Sequence, residues 1–168
     1  MDFMASDDGG DDPSRQRASG SPGPFDGRDL LLEAFAQGGA TGGLRPNAWF
    51  GMVVSDLSGA DGSCPGASDD QVLGLLSGWA AQEAWGAARK LAVLRELIRR
   101  HPKPGCQEIT ESGLPAEWDD GLAHEVALQL GISVMAAQKL LLLAWDLEAR
   151  IPGIGQALAD GRLWSARR

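Results

Sequence analysis

The sequence predicts an all-α fold: one long helix packed with a helical hairpin and a short C-terminal helix, preceded by a largely disordered, Gly/Asp-rich N-terminal region. Three observations predict it. Apolar residues recur at three- and four-residue steps between Val72 and Ile98, the spacing of one helix face. From Trp118 to Gly161 the helical grammar continues, punctuated by Gly131 and Pro152, residues that end helices. The first 68 residues, by contrast, hold 13 of the 23 glycines and 4 basic against 10 acidic residues, whereas residues 69–168 carry 11 against 13. The chain therefore divides into a low-complexity region, 1–67, with short ordered pieces, and a helical domain, 68–168.

In chain order, residues 1 to about 25 mix Asp, Ser, Gly and Pro and bury too little apolar surface to offset the entropy of ordering. They read as a disordered tail. Asp29–Gln37 suits two helical turns, GGATGGLRPN is a loop, and Trp49–Leu57 fits a short strand or a short helix. Ser68 followed by Asp69 and Asp70 supplies an N-cap and first-turn negative charge, so a long helix starts there. Val72, Leu76, Trp79, Ala87, Leu91, Leu94 and Ile98 form its apolar stripe. Arg95, Arg99 and Arg100 suit its negative end, and Pro102 and Pro104 prevent continuation.

Residues 104–115 read as a linker, with Thr110-Glu111-Ser112 in a loop. Asp119 or Asp120 caps a second helix carrying Leu122, Val126 and Leu130 and ended by Gly131. Ser133 caps a third, with Ala136, Leu140, Leu143, Ala144 and Leu147 on its apolar side, stopped by Pro152. Ile154, Leu158 and Gly161 mark a short fourth helix.

Composition narrows the function classes. A formal charge of −8 disfavours DNA as a partner, because each phosphate contact needs a cation to displace counterions. Cys64 and Cys106 lack the paired spacing of a zinc site and read as free thiols in a reducing cytoplasm. The acidic start MDFMASDDGGDD is unlike a signal peptide, and the longest apolar run, Leu140–Trp145, is far shorter than the roughly 20 residues that span a bilayer. The chain reads as cytoplasmic, with no membrane segment.

Few motifs carry chemistry. Helix, Gly131-Ile132-Ser133, helix has the layout of a helix-turn-helix; its possible DNA contacts are Ser133, Gln138 and Lys139. Residues 118–150 carry 2 basic against 5 acidic residues, which favours an ordinary packed pair of helices. His124-Glu125 lacks the second histidine of a zincin helix. With only His101 and His124, no His-Asn-His set is available to hold a divalent cation and activate water. The Gly153-Ile154-Gly155 run follows a helix, not the strand that a dinucleotide site needs. The Gly38-Gly39 and Gly42-Gly43 pairs lack the Lys and Ser or Thr of a phosphate loop. Trp79, Trp85, Trp118, Trp145 and Trp164, without interleaved cations, suit helix-interface packing better than base stacking. No catalytic residue, cofactor or metal site is expected.

Three blocks carry a family resemblance: DDQVLGLLSGWAAQEAWGAARKLAVLRELIRRHP, HEVALQLGISVMAAQKLLLLAWDLEARIP and IGQALADGRL. Together, over roughly residues 68–168, the chain resembles the actinobacterial 13E12 repeat family, domain-of-unknown-function family 222. The resemblance implies an all-helical domain of the kind that usually precedes an HNH nuclease module. Members usually continue past the equivalent of Gly161-Arg162-Leu163, so the chain reads as a shortened member without that module. Its expected role is a non-catalytic interaction or positioning module; the alternative is a helix-turn-helix DNA-binding protein. If the long helix lacks partners, Trp79, Leu91, Leu94 and Ile98 should leave an apolar stripe uncovered, favouring a protein partner or self-association.

Overall fold

The computed structural model describes residues 27–162. The tail expected over 1–25 and Trp164 lie outside them. Six α-helices follow one another: α1 Gly27–Phe35, α2 Ala48–Ser58, α3 Asp69–Arg100, α4 Leu122–Leu130, α5 Val134–Ala149 and α6 Pro152–Ala159, with a 3-10 turn at Ala40–Gly43. No strand is present among the described residues; two isolated bridges, Pro102 with Trp118 and Ile109 with Pro115, pin the loop between α3 and α4. The all-α expectation holds.

The 32 residues of α3 make it about 48 Å long. Its start is a capping box: Ser68 Oγ accepts from Gln71 N–H while the Gln71 side chain accepts from Ser68 N–H, which satisfies two exposed amides reciprocally. Arg99 and Arg100, both paired with Glu96, close the last turn, where cations complement the helix dipole.

Two apolar clusters use opposite halves of α3. In the first, Leu32, Phe35, Phe50, Val54 and Leu57 surround Leu75. Thus α1 and α2, inside the region expected to be mostly low-complexity, pack against the long helix across the expected boundary at 67/68. Trp49–Leu57, open between strand and helix in the sequence, lies within α2, with Asn47 Oδ1 accepting from Phe50 N–H at 3.0 Å as its N-cap. Arg28 Nη2 donates to Leu57 O at 2.9 Å, fastening α1 to the carbonyl end of α2.

The α3 stripe needs correction in this half. The buried positions are Leu75 and Gly78, while Val72, Leu76 and Trp79 are exposed. Gly74 and Gly78 are the cause. A Cβ at Gly74 would lie 1.7 Å from Phe35 O, and one at Gly78 3.1 Å from Phe35 Cε1. The end of α1 therefore presses onto a glycine face and turns the larger residues outward.

In the second cluster, Leu91, Leu94 and Ile98 of α3 pack with Leu114 and with residues of α4 and α5. The expected uncovered stripe is thus overturned for Leu91, Leu94 and Ile98, which are 4%, 4% and 0% exposed; α4, α5 and Leu114 cover them. Trp79 alone of the four is exposed, and its indole N–H donates to Ser58 Oγ at 2.9 Å. On α5 the buried residues are Ala137, Leu141, Ala144 and Leu147, so Leu143 is exposed and Ala136 and Leu140 are half-buried. Leu130 of α4 is exposed as well.

The α4 cap also differs from expectation. Gly121 is the N-cap, and Asp119 Oδ1 accepts from Gly121 N–H at 2.7 Å. Its carboxylate closes the turn before the helix instead of capping the helix itself. Finally, α6 returns to the middle of α3, and Arg45 reaches Asp160 at 3.6 Å. No single helix among the described residues is long and apolar enough to cross a membrane.

Candidate functional site

The α4–α5 corner is built by three local choices. Gly131 adopts the left-handed conformation at φ 63 and ψ 35, which glycine reaches without steric cost. Ile132 N–H then donates back to Ala127 O at 3.1 Å, satisfying a terminal carbonyl. Ser133 Oγ accepts from Ala136 N–H at 3.2 Å and starts α5. The chain turns through 108° between the two helices, so Gly131 and Ser133 act as the sequence predicts.

The corner does not assemble a cationic surface. Ser133, Gln138 and Lys139 are all exposed, but the Ser133 hydroxyl is engaged as the cap. Gln138 and Lys139 share the outward face of α5 with Met135, Leu142 and Leu143. Lys139 is the one cation in that run. A recognition helix instead brings several basic and amide groups to a base-pair groove.

Beside the corner, the second half of α3 and α4 enclose an open apolar groove of about 410 Å³. Leu94, Leu122 and Val126, all core residues, form its floor; Val93, Leu97 and Leu130 form its walls. Val93 is 63% exposed and Leu130 40%. The polar groups lie on the rim: Lys90 on α3, Glu125 and Gln129 on α4. Ligand pockets use a few convergent polar atoms inside an apolar cavity, whereas here the polar atoms border solvent. The arrangement suits apolar side chains from another surface.

A second depression, of about 950 Å³, lies between the first half of α3 and the end of α6. Two carboxylates line it, Glu83 and Asp160; Asp160 accepts from Gln156 Nε2 at 2.9 Å and Arg162 Nη2 at 2.7 Å, with Arg45 nearby. The Gln156 amide first, then the two guanidinium groups, hold its carboxyl below the ordinary aspartate value. His101, whose Nδ1 lies 3.0 Å from Leu97 O, ends α3, and His124 sits on the outward side of α4. No three His, Cys, Asp or Glu side chains among the described residues form a metal-holding group.

A family model described as "Domain of unknown function (DUF222)" matches residues 79–166. The chain belongs to the DUF222 family. No curated protein and no solved structure matches it. The match begins within α3, so the opening turns Asp69–Gly78, included in the resemblance read from the sequence, fall outside it. The matched span contains every buried residue of the second cluster, from Leu91 to Leu147, and none of the first. The groove and the corner therefore both lie within the DUF222 part of the molecule. Leu130, expected on the apolar side of α4, lies at the groove mouth instead, and the sequence does not single out Val93 and Leu128. Their signal was apolar residues off the expected stripe, which only gains meaning once the buried faces are known.

Proposed function

We propose that this DUF222 chain is a non-catalytic helical interaction module that positions a partner or an adjoining module, working in the cytoplasm. The observation that carries this reading is the character of the exposed DUF222 surface. Around the corner and the groove, Val93, Leu128, Met135, Leu142 and Leu143 face outward, and exposed apolar residues grouped in this way mark contact surfaces. The resemblance to proteins in which an HNH nuclease module follows the helical domain supports an adjoining nuclease as what such a module would position.

The competing reading, DNA binding through α5, predicts retention of duplex DNA that falls steeply with salt, because released counterions drive such binding. An electrophoretic mobility shift series across salt concentrations separates the two. The module reading expects no retained duplex at physiological salt and no effect of Lys139→Ala. Salt-sensitive retention that weakens on Lys139→Ala would overturn it in favour of DNA binding.

A further inference from the structure

We propose that the α3–α4 groove is a homodimer interface: a second copy of this chain lays the same face across it about a twofold axis, with Leu128 of each protomer entering its partner's groove and Lys90 facing Glu125. The inference rests on the interaction-module reading and names the partner for that surface.

Shape comes first. The groove has an apolar floor and a wall at Val93. Next to its α4 rim stands Leu128, 85% exposed and flanked in sequence by the rim residues Glu125 and Gln129. A hollow beside a projecting apolar residue is self-complementary under twofold rotation, since each copy offers the knob that the other's hollow accepts. An unrelated partner would fill the hollow and leave Leu128 to be covered separately.

Charge points the same way. Lys90 on the α3 wall and Glu125 on the α4 wall are exposed, and neither makes an ion pair or hydrogen bond among the described residues. Twofold pairing brings opposite signs together twice per dimer. The chain carries a net charge of −8, which opposes its association with a second copy. The groove face is neutral, with one charged group of each sign. Its pairing therefore adds no net charge repulsion between two acidic chains. A patch of this kind falls in the class of small interfaces, below about 1,200 Å² in total, that form reversible complexes.

Sedimentation equilibrium of the full chain over a micromolar concentration series tests the proposal, with far-UV circular dichroism confirming that each variant remains folded. The wild-type chain is expected to show a monomer–dimer equilibrium. Lys90→Glu and Glu125→Lys should each raise the dissociation constant about tenfold, as expected for loss of two pairs worth roughly 0.7 kcal/mol each. The double variant Lys90→Glu/Glu125→Lys should restore it, and Leu128→Asp should remove the dimer. All three changes are at exposed positions, so the core stays intact. A strictly monomeric wild-type chain, a dimer indifferent to Leu128→Asp or to the single reversals, or a double variant that fails to recover would each overturn the proposal. Monomeric behaviour would leave the module reading standing, which fails separately through DNA retention.

Discussion

A Cβ placed on Gly74 would meet the Phe35 carbonyl carbon at 2.7 Å and its oxygen at 1.7 Å, a backbone clash that no rotamer change relieves. Gly86 lies in the same helix with nothing within 4 Å of its Cβ position. Gly74→Ala should therefore destabilise the protein by about 1–3 kcal/mol through overpacking. Gly86→Ala should stabilise it by about 0.5–1 kcal/mol through helix propensity alone. Urea denaturation of both variants checks the opposite signs. Asp160 gives a pH dependence whose direction is fixed. Its folded-state pKa is lowered, so its contribution is fully present above the ordinary aspartate range and is lost as pH falls through the lowered value. The acid limb of a plot of Tm against pH should be shallower in Asp160→Asn than in the wild-type chain.

The segment between α3 and α4 looks in the sequence like a Pro-rich linker, yet it behaves as part of the core. Thr110 Oγ1 accepts from Leu114 N–H at 3.1 Å and lies 3.0 Å from Leu114 O. This local knot turns the Leu114 side chain inward to 0% exposure among the α3, α4 and α5 residues. Trp145 of α5 then fixes the following residue, donating from its indole N–H to Pro115 O at 3.0 Å. Leu114→Ala should consequently cost about 2–5 kcal/mol, as for a truncated core leucine, although it lies in no helix. An unfolding midpoint close to that of the wild-type chain would show that the loop packs loosely.

Through α3, the molecule joins two cores that share no side chain. A helix in a protein draws most of its stability from packing its apolar face, and α1 with α2 at one end and α4 with α5 at the other supply those partners. Between them, Ala84 and Ala88 are buried at 2% and 9%. Just after α6, Gly161 comes close to α3, where a Cβ on it would lie 3.2 Å from Ala81 Cβ. Arg95 of α3 also reaches Glu148 of α5 at 3.2 Å. The net charge of −8 carried by the full sequence underlies the expectation that duplex DNA is not retained at physiological salt.

Local signals were sufficient for the ends of α3 and α5, for the stop of α6 before Gly161 and for the glycine turn at Gly131, because serine caps, proline stops and left-handed glycines act within a few residues; that Pro152 also opens α6 was not read. The acidic balance and the helical family likeness were legible in the same way. Which face of α3 is buried was not, since Val72, Leu76 and Trp79 keep the helical period as well as Leu75 and Gly78 do. That choice depends on Phe35, more than thirty residues away in the chain, resting against glycines that have no side chain to hold it off. The groove was hidden for the same reason. Val93 and Leu128 become a surface only when α4 is laid beside α3, and long-range packing, not local periodicity, sets which apolar residues are left outside.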